Sequence, residues 1–300
     1  MTFSNTSVEF QAVEPQHIGI ALRNFKEELN LRHSSDNPLS PIGISTGFSD
    51  LDSLTSGLRP GSLCVIAGRP SMGKSAFALN IASHIALEEK LPVVIFSMEM
   101  STLQISQKLV GQVGKVDSHR IRTGRLESMD EESITTAVGM LGETEIYIDD
   151  TPCLTIKQIR SKAHNVSEQH ERLGLVIVDC VQYLKRVNTG VGSPKDWNMV
   201  MVSLKELARE INAPIILLSQ LTRKLEKRKS KRPQFSDLPD VQIAQFADML
   251  LFIYRDEVYD PDSPDKGTAE IIIARNQYGP IGTIRLGFKG ELSSFYDYSC

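Results

Sequence analysis

The run Gly68-Arg69-Pro70-Ser71-Met72-Gly73-Lys74-Ser75 constrains this chain more than any other part of it. It matches G-x-x-x-x-G-K-[ST] at all four fixed positions. Its flanks fit the pattern too, because Leu63–Ala67 is an apolar run of strand length and Ser75–Leu87 has helical patterning. Such a loop needs a buried strand behind it and a helix N-terminus in front, so the motif predicts an α/β sheet as well as a ligand. Glycines let backbone N–H groups turn inward around a phosphate, and the helix end adds positive potential. Lys74 supplies a mobile cation for β- and γ-phosphates, and the Ser75 hydroxyl offers a ligand to Mg²⁺ bridging them. Gly68–Ser75 is therefore expected to bind a nucleoside triphosphate together with Mg²⁺.

The rest of the chain agrees with that fold class. After Leu63, apolar runs alternate with helical patterns. Strands are expected at Leu63–Ala67, Pro92–Ser97, Glu145–Ile148, Leu173–Asp179, Pro214–Ser219 and Met249–Tyr254. Helices are expected at Ser75–Leu87, Thr102–Val113, Ile156–Glu168 and Val200–Ile211. Continuous Val/Ile/Leu runs separated by helices indicate a mostly parallel sheet covered on both faces. The end differs: Ala269–Ala274 and Ile281–Phe288 alternate around a polar tip, Arg275-Asn-Gln-Tyr-Gly-Pro280, which predicts a C-terminal β-hairpin. Ahead of the sheet, Ile18, Leu22, Phe25 and Leu29 form one stripe of an amphipathic helix, and the polar stretch His33–Pro41 reads as a linker. The 300 residues thus divide into an N-terminal arm, 1–41, and an α/β domain, 42–298.

A phosphate loop binds; hydrolysis also needs a carboxylate to hold the metal and a group to orient water. In a parallel sheet the strand C-termini share one edge. Asp179 ends the Leu173–Asp179 strand and is expected to hold Mg²⁺ with Ser75. Glu99 follows the Pro92–Ser97 strand and can polarise an attacking water. Gln220 closes the Pro214–Ser219 strand, where its amide can report the γ-phosphate to the segment that follows. The four strand tips together describe a phosphoryl-transfer site.

Other readings exclude function classes. No apolar run approaches membrane-spanning length, and the polar Met1–Phe10 predicts no signal peptide, so a cytoplasmic protein is expected. Cys64, Cys153, Cys180 and Cys300 lack metal or disulfide spacing, and Cys64 and Cys180 read as buried small hydrophobes. His164 and His170 are not at a metal spacing either. The net charge of −4 does not suggest a nucleic-acid partner. Its distribution does, because Arg223, Lys224, Lys227, Arg228, Lys229, Lys231 and Arg232 stand against one acid, Glu226. That run has no aromatic residue for stacking, so sequence-independent contact with a nucleic-acid phosphate backbone is its natural use.

Several runs beyond the phosphate loop resemble the C-terminal ATPase domain of DnaB-type replicative helicases. They include Thr46–Asp52, Phe96-Ser-Met-Glu-Met100, Ile121–Gly124, Tyr147–Asp150, Leu218–Leu221, Phe252-Ile-Tyr-Arg-Asp-Glu-Val-Tyr259, Ala269–Ile273 and Gly279-Pro-Ile-Gly282. The resemblance runs in order from about Ile42 to Tyr298. It implies a RecA-like fold and a homo-oligomeric, hexameric ring with ATP at the subunit interfaces. Single-stranded DNA would thread the channel, with 5′ to 3′ unwinding and a primase or helicase loader as possible partners. On matching positions it makes Lys74 and Ser75 ligands of phosphate and Mg²⁺, Glu99 the catalytic base, Asp179 the metal carboxylate and Gln220 the nucleotide sensor.

The sequence also departs from that family. The family's collar domain has no counterpart in Met1–Pro41, which has room for a linker helix alone. The family's hairpin tip carries Lys-x-Arg, whose cations reach the neighbouring subunit's site. Here the positions are Arg275 and Gln277, so the arginine-finger role falls to Arg275. The loop after Ser236-Asp-Leu238 reads Pro239–Gln242, shorter by one residue than the family's. Ala244 and Phe246 replace acidic residues, and Val202 replaces an arginine. These changes bear on unwinding and leave ATP binding intact. They motivate a second reading, an ATP-binding regulatory paralogue that associates with a replicative helicase without unwinding DNA itself.

Overall fold

The computed structural model describes residues 42–184 and 197–298, together with residues 17–20, 22, 23 and 26. The chain divides into two compact units, Met1–Ser40 and Pro41–Cys300. In the first, residues 18–20, 22, 23 and 26 are helical, and Ile18, Ile20 and Leu22 are exposed. The other predicted members of that stripe, Phe25 and Leu29, lie outside the described residues, as does the linker.

The second unit is built on one nine-stranded sheet in the order β3-β2-β4-β5-β1-β6-β7-β8-β9. Its parallel strands are β1 (Leu63–Gly68), β2 (Val93–Ser97), β3 (Ile146–Asp149), β4 (Leu175–Asp179), β5 (Ile215–Gln220) and β6 (Met249–Tyr254). β7 (Thr268–Asn276), β8 (Gly282–Lys289) and β9 (Ser294–Asp297) continue it antiparallel. The helices are α1 (Ser49–Thr55), α2 (Lys74–Leu87), α3 (Thr102–Gly114), α4 (Ser118–Thr123), α5 (Asp130–Gly142), α6 (Ile156–Ser167), α7 (Trp197–Glu210) and α8 (Val241–Phe246).

The continuous apolar strands follow from burial on both faces. Ile66, Ile95, Ile177 and Ile216 pack against Phe77, Ile81 and Ile85 of α2 on one side. Their neighbours Val65, Val94, Val176 and Leu217 pack on the other side against Ile159 of α6 and Met201, Leu204 and Leu207 of α7. Two helices begin at reciprocal caps, Ser101 with Gln104 at α3 and Thr155 with Gln158 at α6, which satisfy N-terminal N–H groups. Predicted and observed ends differ by a few residues at most. α1, α4, α5, α8 and β9 go beyond the sequence reading. No helix among the described residues is long and apolar enough to cross a membrane.

Candidate functional site

The register brings the predicted side chains to one edge. β1 and β5 pair so that Gly68 faces Gln220, and β2 and β4 pair so that Ser97 faces Asp179. Since β2, β4, β5 and β1 are successive neighbours, Glu99, Asp179, Gln220 and the phosphate loop line one continuous rim. Met98 N–H donates to Asp179 O at 2.8 Å, and the Ser97 hydroxyl donates to Met100 O at 2.7 Å. These bonds fix the turn that presents Glu99, which is exposed.

The loop is held from three sides. Gly73 has φ +95°, and a Cβ there would stand 2.9 Å from the Phe295 ring. Strand β9 is thus the floor of the loop, fixed by Phe295 N–H donating to Asn80 Oδ1 of α2 at 2.8 Å. Arg69 turns away from the ligand side, donating to Leu221 O at 2.8 Å and pairing with Glu226 at 2.8 Å. Arg255 donates to Ser71 O at 3.0 Å, while its guanidinium lies 3.8 Å over the Phe288 ring. Met72 is buried and accepts from Arg255 N–H through its sulfur at 3.3 Å.

Inside this frame, Ser75 Oγ donates to Asp179 Oδ2 at 2.6 Å, and Lys74 Nζ donates to Arg69 O at 3.3 Å. Burial pushes the Asp179 carboxyl above its ordinary range, against the opposing bond from Ser75. Burial likewise pulls the Lys74 ammonium down, opposed by the negative charge of Asp179 and Glu99. Side-chain ligand atoms of Glu99, Asp179 and Cys180 lie within 4.8 Å of one another, and no other such group of three occurs among the described residues. Burial pushes the Cys180 thiol up to about 11, so its sulfur stays protonated and its S–H donates to Gln182 Oε1 at 3.0 Å. The donors left at the site are hydroxyl and carboxylate oxygens, the hard set that suits Mg²⁺.

Cys180 is buried in the apolar core, as its surroundings predict, and its sulfur also borders the Glu99–Asp179 pair. Two residues of this rim, Gln182 and Tyr183, escaped sequence reasoning. Gln182 donates to Gln220 O at 3.1 Å and accepts from Gln220 N–H at 3.2 Å, tying β4's exit to the tip of β5. Tyr183 lies close enough to Glu99 for that charge to push its hydroxyl above the ordinary range. A polar pair beginning three residues past a strand-ending aspartate, Gln182-Tyr183, was the available signal.

Other candidates stand elsewhere. Arg275 pairs with Leu250 near the start of β6, level with Val65 of β1 and ~10 Å along that strand from Gly68, on the side away from the phosphate loop. This chain's own fold does not bring it to Lys74. The basic run is divided. Arg228 pairs with Asp237 at 2.8 Å, Arg232 grips Glu270 at 2.6 and 2.8 Å, and Lys231 donates to Glu226 O and Arg228 O. Arg223, Lys224, Lys227 and Lys229 remain exposed.

A mostly parallel sheet with a glycine-rich phosphate loop at one strand tip and carboxylates on the adjoining tips defines a RecA-like P-loop nucleotide-binding domain. The fold is shared with the RadB recombinase, at a TM-score of 0.54 and 18% identity. The chain belongs to the DnaB-like helicase C terminal domain family, whose model matches residues 43–297. It is 39% identical over 284 residues to the replicative DNA helicase DnaB of Haemophilus influenzae, covering 94% of this chain and 61% of that protein. With the DnaB of Buchnera aphidicola subsp. Baizongia pistaciae it shares 44% over 275 residues, 90% of this chain and 59% of that protein. The chain thus spans about three fifths of the length of these curated relatives. Among solved structures, an isolated ATPase domain is similar at a TM-score of 0.89 and 32% identity, covering 95% of this chain and all of that one. A DnaB-like replicative helicase studied for its interactions with primase is also similar, with a TM-score of 0.85 and 32% identity, covering 95% of this chain and 68% of that one.

Proposed function

We propose that this chain is the motor of a ring-shaped helicase that hydrolyses ATP and moves 5′ to 3′ along single-stranded DNA. The observation that carries this is the single rim shared by Lys74, Ser75, Glu99, Asp179 and Gln220. Gly68–Ser75 would wrap the phosphates with backbone N–H groups, and Lys74 would offset their charge. Ser75 and Asp179 would hold Mg²⁺, which when bound supplies electrostatic stabilisation of the phosphoryl oxygens. Glu99, exposed on a braced turn, would orient a water and accept its proton.

Two couplings extend this chemistry. Gln220 is held by Gln182, and the segment it begins carries Glu226, which Arg69 of the phosphate loop grips. Nucleotide contact at the loop would thereby reach Arg223, Lys224, Lys227 and Lys229, the exposed cations we assign to DNA phosphates. Arg275 stands on the side away from its own loop, as expected of a group serving the neighbouring copy in a hexamer. We assign residues 42–298 to the motor and 1–41 to a separate arm. Primase is proposed as a partner from the similar helicase, and the cytoplasm as the location.

ATP hydrolysis and strand displacement, measured with and without single-stranded DNA, test this reading. It expects DNA to accelerate hydrolysis and Lys74→Ala to abolish both activities. Hydrolysis indifferent to DNA would refute the motor.

A further inference from the structure

The hairpin tip shows what the sequence left unexplained, a glutamine where the resemblance places an arginine. Gln277 follows the end of β7 and packs on Asp248, immediately before β6. Its backbone N–H donates to Asp248 O at 2.9 Å. Asp248 is 2% exposed, and its Oδ2 is already committed, accepting from Leu63 N–H at 2.7 Å and pairing with Lys205. The Gln277 amide takes the other oxygen. With Nε2 turned to Asp248 it donates to Oδ1 at 2.9 Å, and its Oε1 accepts from Arg275 Nη2 at 3.0 Å. The opposite orientation sets carbonyl against carboxylate and NH₂ against guanidinium, so matching donors to acceptors fixes the amide.

Arg275 forms no ion pair among the described residues, and its Nε is buried without a hydrogen-bond partner. Arg69, Arg228, Arg232 and Arg255 each face a carboxylate instead. A guanidinium one side chain away from a buried carboxylate would ordinarily pair with it, because a charge-assisted bond outweighs a neutral one. Here a neutral amide stands between them.

We propose that Gln277 is a positioning residue: its amide separates Arg275 from Asp248, fixing the guanidinium while leaving its charge free for a triphosphate bound by a second copy. The inference rests on the reading that Arg275 acts on a neighbouring copy. It makes the neutral side chain a functional feature of a one-cation tip. A carboxylate at this position would neutralise Arg275. An apolar side chain would leave Asp248 Oδ1 open to it.

The test is a double-mutant cycle on the assembled protein, measuring ATP turnover with saturating single-stranded DNA and the Kd of a fluorescent ATP analogue. Arg275→Ala is expected to lower kcat about 10³-fold or more, the usual worth of an arginine finger. Gln277→Glu, an isosteric change at an exposed position, is expected to lower kcat at least roughly tenfold with nucleotide Kd unchanged. Gln277→Met, which removes both bonds without adding charge, should also lower kcat. On the Arg275→Ala background neither change should lower kcat further. Wild-type kcat in Gln277→Glu, or equal losses on both backgrounds, would overturn the positioning role while leaving the finger in place. Unchanged kcat in Arg275→Ala would instead remove the trans reading, and this inference with it.

Discussion

Replacing Gly73 by alanine puts a single methyl group where the phosphate loop meets its floor. The backbone there has φ +95°, a conformation that costs an L-residue ~1–2 kcal/mol. The new Cβ would stand 2.9 and 3.1 Å from two atoms of the Phe295 ring. That ring cannot give way easily, since it is 4% exposed, packed edge-on against Phe77 at 5.2 Å and tilted against Phe288 at 4.7 Å. Overpacking of this kind costs about 1–3 kcal/mol, so the whole substitution should destabilise the domain by roughly 3 kcal/mol. Gly139 is the internal control. It lies inside α5 with nothing within 4 Å of an added Cβ, so Gly139→Ala should gain about 0.5–1 kcal/mol. Urea denaturation followed by circular dichroism reads both changes. Gly73→Ala should unfold at clearly lower urea and lose affinity for a fluorescent ATP analogue. If it unfolds with the wild-type midpoint, β9 is not the floor of the loop.

Three further outcomes follow from the same geometry. Glu99→Gln should keep nucleotide affinity and lose turnover by about 10²–10⁴-fold, the usual worth of a general base; loss of affinity with turnover intact would remove Glu99 from that role. Burial pushes the Cys64 thiol from 9.0 up to about 12, so above pH 9 the unfolded chain releases a proton that the folded one keeps. Stability should therefore fall by about 1.4 kcal/mol per pH unit for this thiol until the folded group itself titrates. Cys64→Val should flatten that slope, and an equal difference between the two proteins at pH 8 and pH 10 would contradict it. Replacing Arg223, Lys224, Lys227 and Lys229 together by alanine should reduce the salt dependence of single-strand binding by about 3 in log–log slope. An unchanged slope would place the DNA contact elsewhere.

Much of this molecule was legible because its signals are local. β1, β2, β4 and β5 are buried on both faces, and continuous burial appears in sequence as continuous Val, Ile and Leu. The phosphate loop needs particular residue types at fixed spacing, so it can be read directly. α5 escaped because it buries little beyond Asp130 and Ala137 and leaves Val138 and Met140 exposed, which erases its stripe. β9 is four residues long, and its importance arises from Phe295 meeting Gly73, a contact across more than two hundred positions. The basic run looked uniform because its partners, Asp237 and Glu270, are assigned only by folding. Gln277 looked like a loss for the same reason, since Asp248 is nowhere near it in sequence.

A site in which one copy's triphosphate is completed by another copy's Arg275 is tested most directly by mixing two defective subunits. Lys74→Ala and Arg275→Ala subunits should each hydrolyse ATP negligibly when assembled alone. Assembled together in equal amounts, they should recover measurable DNA-stimulated hydrolysis, because some interfaces then join an intact Lys74 to an intact Arg275. A mixture as inactive as its two components would contradict a site shared between copies.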